Sequence, residues 1–92
     1  MRFIGCDPGS RNLGLACVEE DGGIRTLHAK VNGPLEALAQ VLAFIGSPLI
    51  PTVLATEGWG DFGPRRGAFA ILKIIGGIYG LGIARGYTVM EF

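Results

Sequence analysis

Apolar positions along this chain gather into short blocks separated by turn-forming residues. Residues 1–6 form an apolar run that meets Asp7-Pro8-Gly9-Ser10, where proline and glycine have the chemistry of a turn after a strand. Residues 13–18 form a second run, closed by Glu19-Glu20-Asp21-Gly22-Gly23, and residues 24–31 then alternate imperfectly from Ile24 to Val31. The Asp-Gly-Gly turn predicts that these two runs are a hairpin. Arg25, His28 and Lys30 fall where an outer strand meets water, and a lysine discourages further pairing, so the third strand is expected at a sheet edge.

The period then changes from two to that of a helix. Pro34 suits a first helical turn, where its missing N–H is not needed, and Leu35, Leu38, Leu42 and Ile45 recur at helical spacing up to a capping Gly46. Ser47-Pro48 and Pro51 break this helix, and residues 52–56 form a short buried strand that delivers Glu57 at its end. Residues 58–67 read as a glycine-rich loop, residues 68–85 as a long apolar helix ended by Gly86, and residues 87–92 as a last strand.

This order predicts a single α/β domain with a mixed sheet: a β1-β2-β3 antiparallel meander, then αA-β4-αB-β5 with parallel crossovers, the helices packed on the sheet. Gly76, Gly77, Gly80 and Gly82 each cost about 1 kcal/mol inside a helix, so a close approach by another backbone, from the sheet or a second subunit, is expected there. Phe69, Leu72, Ile75, Ile78, Tyr79 and Ile83 also cover more of that helix than one sheet face requires. A second copy through the 68–85 helix, or a further C-terminal helix, would cover the surplus.

Composition narrows the classes. With 49% hydrophobic and 17% charged residues the chain is not intrinsically disordered, and sixteen glycines without a three-residue period exclude collagen. Eight basic residues balance eight acidic ones, which argues against coating nucleic acid by bulk charge while leaving room for a local basic patch. Cys6 and Cys17 lie in strand-like runs with no secretory signal ahead of them, so they are expected to be reduced core thiols in a cytoplasmic protein. The apolar run at 68–84 is interrupted by Lys73 and glycines and is slightly short of a span, so no membrane partner is expected.

Asp7 and Glu57 are the residues best placed for chemistry. Each ends an apolar run, and if their strands are neighbours the two carboxylates meet at one end of the sheet. Neither has a basic neighbour within two residues, so each is expected to be partly desolvated and in need of a cation; a shared divalent metal would satisfy both. The plainer alternative is that Asp7 begins a turn and Glu57 caps a strand end. His28 and the two separated cysteines have no zinc-ligand spacing, and His28 reads as a surface strand residue.

The run Ile4-Gly5-Cys6-Asp7-Pro8-Gly9-Ser10-Arg11-Asn12-Leu13-Gly14-Leu15-Ala16 resembles the first-strand motif of the RuvC family of crossover-junction endonucleases, in the ribonuclease H-like superfamily. Val53-Leu54-Ala55-Thr56-Glu57 is similar to the family's fourth strand, which carries a second metal-binding carboxylate, and the similarity runs in register over essentially all 92 residues. The resemblance implies a homodimeric endonuclease, dependent on Mg2+ or Mn2+, that resolves four-way (Holliday) DNA junctions, with Asp7 and Glu57 as catalytic metal ligands. It implies that the 58–67 loop faces DNA, with Trp59 and Phe62 able to stack at an opened junction and Arg65 and Arg66 able to contact phosphates. Arg11 and Lys73 are further DNA candidates, and the helix dipole alone accounts for Arg85.

The chain also departs from the family, which continues into a helix bearing one or two more acidic ligands. Glu91 is the only late acid here, so the domain is expected to be incomplete at its C-terminus. Two alternatives stay open: a non-catalytic module that binds DNA structure or dimerises, and an actin-like phosphate-binding domain, which Asp7-Pro8-Gly9-Ser10 followed by a hairpin resembles more loosely.

Overall fold

The computed structural model describes residues 1–9, 11–58 and 68–92. Five strands form one sheet in the order β3-β2-β1-β4-β5: β1 (Arg2–Pro8), β2 (Asn12–Val18), β3 (Ile24–Lys30), β4 (Thr52–Thr56) and β5 (Thr88–Glu91). The first three form the expected antiparallel meander with β3 at the edge, and β4 pairs parallel to both β1 and β5. Helices α1 (Pro34–Ile45) and α2 (Ala68–Arg85) supply the crossovers.

Strand alternation decides which residues meet the helices. Ile4 and Cys6 on β1, with Leu13, Leu15 and Cys17 on β2, share the buried core with Val41 and Ile45 of α1 and with Ile74 and Ile78 of α2. The opposite face carries Phe3, Val18, Ile24 and Met90, all exposed. Cys6 and Cys17 are free, buried thiols. α2 meets the length and apolarity of a membrane-crossing helix, with a mean hydropathy of 1.5, yet here Ile74 and Ile78 belong to the core beneath it.

Three details differ from the sequence reading. The buried face of α1 is Ala37, Val41, Phe44 and Ile45, whereas Leu35 is 84% exposed and Leu42 is also exposed. Two apolar stripes overlap on this helix, and Ala37, with its small side chain, marks the one turned to the core. Two of the α2 glycines admit side chains where a backbone was expected: a Cβ on Gly77 would collide with Leu38 of α1, and one on Gly82 with Val89 of β5, whereas Gly80 faces open space. Arg25 stays exposed but reaches over the helix side, where its guanidinium lies 4.3 Å from the Phe44 ring centroid and donates to the Phe44 carbonyl at 2.8 Å and to Glu19 at 2.7 Å.

Arg2 is only 2% exposed and joins three segments. Its Nε donates to Thr52 Oγ1 at 2.8 Å, and its two terminal nitrogens donate to the carbonyls of Ile45 and Ser47, each at 2.7 Å. These carbonyls at the end of α1 and just beyond it would otherwise lack partners. Arg2→Met is expected to lower stability by about 3 kcal/mol, since buried acceptors lose charged donors, and to reduce the melting temperature by more than about 10 °C, measurable by calorimetry.

Candidate functional site

β1 and β4 run side by side from the rung Arg2↔Thr52 to the rung Cys6↔Thr56. The next residues on the two strands are Asp7 and Glu57, so the carboxylates leave neighbouring strands at the same end of the sheet. Strand spacing there is about 4.8 Å. The Cys6 thiol senses both: burial first, and then the charges of Asp7 and Glu57, together push its pKa up to about 12. The conditional in the sequence reading, that the two strands be adjacent, is therefore met.

Asp7 itself is placed differently from the expectation. It is not in a turn but within β1, opposite Gly14 on β2, and it is exposed rather than partly desolvated. The ladder continues to the rung Pro8↔Leu13 because the connection is tight; a Cβ on Gly9 would lie 2.5 Å from the Asn12 carbonyl oxygen. A Cβ on Gly14 would make ordinary van der Waals contact with the Asp7 Cβ at 3.7 Å, so the glycine leaves that flank of Asp7 uncovered. Glu57 is half-buried.

The same row of the sheet holds a residue that the sequence reading set aside. His28 on β3 is the rung partner of Gly14, which is the rung partner of Asp7, so His28, Gly14 and Asp7 lie in line on the face opposite the helices. His28 is exposed, as expected of a surface strand residue. Its alignment with Asp7 depends on the register of two hairpins, which residue types alone do not reveal. A shallow apolar hollow of about 320 Å³ adjoins this row, lined by Gly5, Asp7, Gly14, Ala16 and Phe92 among others.

The other candidates scatter. Glu91 is the rung partner of Thr56 and turns to the helix side, where Tyr79 Oη donates to its Oε1 at 2.6 Å, so it does not join Asp7 on the open face. Among the described residues no three His, Cys, Asp or Glu side chains form a metal-binding group. Arg11 is exposed in the β1–β2 connection and Lys73 is exposed on α2. Arg85 Nη1 donates to Tyr87 Oη at 3.5 Å. Trp59, Phe62, Arg65 and Arg66 lie outside the described residues.

Compared by sequence, the chain matches no protein-family model and no curated protein. Compared by structure, it superposes on YeaZ from Pseudomonas aeruginosa with a TM-score of 0.69 at 18% identity, over 99% of this chain and 42% of that one. RuvC from T. thermophilus, solved in complex with a Holliday junction substrate, gives 0.67 at 22% identity, over 100% of this chain and 65% of that one. The fold is ribonuclease H-like. A putative N-acetylmannosamine kinase from Listeria monocytogenes shares it at a TM-score of 0.59 and 23% identity, with 97% of this chain covering 34% of that one. The chain spans less than two thirds of each of these proteins, and the ribonuclease H-like sheet is common to all three.

One group at the site lacks a partner. Thr56, fully buried between Cys6 and Glu91 on adjacent strands, has an Oγ1 with no hydrogen bond among the described residues. Removing an orphaned hydroxyl while keeping the shape relieves its desolvation cost, so Thr56→Val is expected to raise stability by about 1 kcal/mol. Chemical denaturation should show a higher midpoint with an unchanged slope.

Proposed function

We propose that this chain is the RuvC-like portion of a metal-dependent endonuclease acting on four-way DNA junctions, and that residues 1–92 are one domain of it. The observation that carries this reading is the Asp7–Glu57 pair: two carboxylates on adjacent parallel strands, one exposed on an open sheet face, at the ends of the two segments that resemble the family's first and fourth strands. Carboxylate oxygens suit Mg2+ or Mn2+, and like charges this close favour a shared cation. Two carboxylates are fewer than such sites use, so further ligands must come from outside the described residues. When bound, the metal supplies Lewis-acid activation of the attacking water and of the leaving oxygen.

This chain's own residues would do the rest. Asp7 would hold the cation from the open face, where Gly14 leaves a strand of DNA room to approach, and Glu57 would hold it from the neighbouring strand. The loop at 58–67 follows Glu57 directly, so Trp59, Phe62, Arg65 and Arg66 are assigned to junction contact, with Arg11 and Lys73 as outlying phosphate contacts. A cytoplasmic location accords with the two free thiols.

The actin-like reading shares the fold, as the YeaZ and kinase neighbours show, but those proteins are longer, and this chain covers 42% and 34% of them. A non-catalytic junction-binding module is the outcome if binding is found without cutting. Asp7→Asn and Glu57→Gln are each expected to reduce metal-dependent nicking of a synthetic four-way junction by at least about 10²-fold, given the size of metal-site contributions, while junction affinity stays within about threefold. Gel analysis of nicked strands and an equilibrium binding titration measure the two quantities, and cutting by Asp7→Asn at the parent rate would refute the site.

Junction resolution needs two cuts, and two copies of this chain would provide two sites. The homodimer is proposed through α2, whose outward residues Phe69 and Ile83 are 83% and 84% exposed. Phe69→Glu with Ile83→Glu is expected to convert a dimer to a folded monomer in sedimentation equilibrium, because charges replace the apolar surface a partner would bury.

A further inference from the structure

Around the corner from Asp7 the sheet has a second hollow of different chemistry. Its volume is about 760 Å³ and its walls are Arg11, Asn12, Lys30, Val31, Asn32 and Gly33. Asn12 opens β2 and Lys30 closes β3, and the two are rung partners. By strand alternation both lie on the face that carries Asp7. The Val31 N–H donates to the Arg11 carbonyl at 2.8 Å, which ties the β1–β2 connection to the exit of β3. α1 then begins at Pro34 with Gly33 as its N-cap and no side-chain cap.

Among the described residues these walls are rich in donors and hold no carboxylate. An arginine, a lysine and two asparagines line one hollow in a chain whose net charge is zero. Among the described residues neither Arg11 nor Lys30 takes part in a salt bridge; the pairs that form are Met1–Glu20 and Arg25–Glu19. Two cations facing one space repel each other unless an anion is shared between them. Guanidinium offers a planar, forked set of donors to phosphate oxygens and ammonium a point charge, so a phosphate group fits this pair.

Position selects the source of the phosphate. Gly14, the rung partner of Asp7, is two residues along β2 from Asn12, which is about 7 Å. A strand of nucleic acid with one phosphate at the carboxylate pair therefore reaches the hollow within a short step along its backbone. We propose that the hollow formed by Arg11, Asn12, Lys30 and Asn32 is a phosphate subsite that grips the backbone of a nucleic-acid strand running past Asp7. The proposal rests on the nuclease reading for the direction of the strand. It adds a grip on the β3 side of the sheet, and one that reads no base because its donors meet phosphate.

The test uses the 92-residue chain, Arg11→Gln, Lys30→Gln and the double variant, titrated against a fluorescent four-way junction and a single-stranded oligonucleotide over a range of KCl without divalent metal. Each phosphate contact contributes a slope near 0.9 in log K against log salt, roughly tenfold in affinity at 50 mM. Each single variant is expected to lose about tenfold in affinity and about one unit of slope, and the double variant about a hundredfold, with melting temperatures unchanged. Equal affinity and slope in parent and double variant, or a parent that binds no nucleic acid, would overturn the subsite. Thermal stabilisation by inorganic phosphate or ATP that the double variant loses, without any change in DNA affinity, would assign the hollow to a free phosphate compound and overturn its assignment to a strand. If, in a separate assay with Mg2+, Asp7→Asn cuts the junction at the parent rate while the Arg11 and Lys30 variants show the expected affinity and slope changes, the subsite stands and the nuclease reading at Asp7 falls.

Discussion

Parallel pairing of β1 with β4 is the constraint on which the rest depends. The backbone bonds of these two central strands set a register that starts at Arg2↔Thr52 and ends at Cys6↔Thr56, and that register alone brings Asp7 beside Glu57. Arg2 guards its first rung. Its guanidinium bonds Thr52 across the pair and the carbonyls of Ile45 and Ser47 beyond it, so a slip of β4 would strand a buried charge. A one-residue slip would also turn Leu54 and Thr56 away from the helix face on which they are buried. The stability of one end of the sheet thus determines the geometry of the other.

Small residues shape what that geometry can bind. Gly9 lets the β1–β2 connection turn tightly enough for Asp7 to remain in the strand, and Gly14 keeps the surface beside it low. On the helix side the same device serves packing, since Gly77 and Gly82 let Leu38 and Val89 press into α2. The intrinsic helix cost of these glycines is offset by contact with α1 and β5, which explains an apolar helix that tolerates so many of them.

A ribonuclease H-like sheet is shared by neighbours as different as YeaZ, RuvC and a putative sugar kinase, so the fold does not select among their chemistries. In the proposed reading, selection comes from side chains on the open face and at the strand ends: the carboxylate pair, His28 in line with Asp7, and the hollow lined by Arg11 and Lys30. The acids and the cations lie in separate places, which suits a polyanion long enough to touch both.

Element order, strand polarity and the edge position of β3 were legible in the sequence, because they follow from local periodicity, turn chemistry and the short reach of each connection. The same local signals marked Asp7 and Glu57 as the acids ending apolar runs. Tertiary structure alone decided the rest. Which of two overlapping stripes α1 buries depends on the fit of Ala37 and Val41 to the sheet, not on spacing. The alignment of His28 with Asp7, the turning of Glu91 toward Tyr79, and the meeting of Arg11 with Lys30 all follow from cross-strand register. Register is a property of paired backbones, and a single strand read along its own length carries no record of which residue will stand opposite.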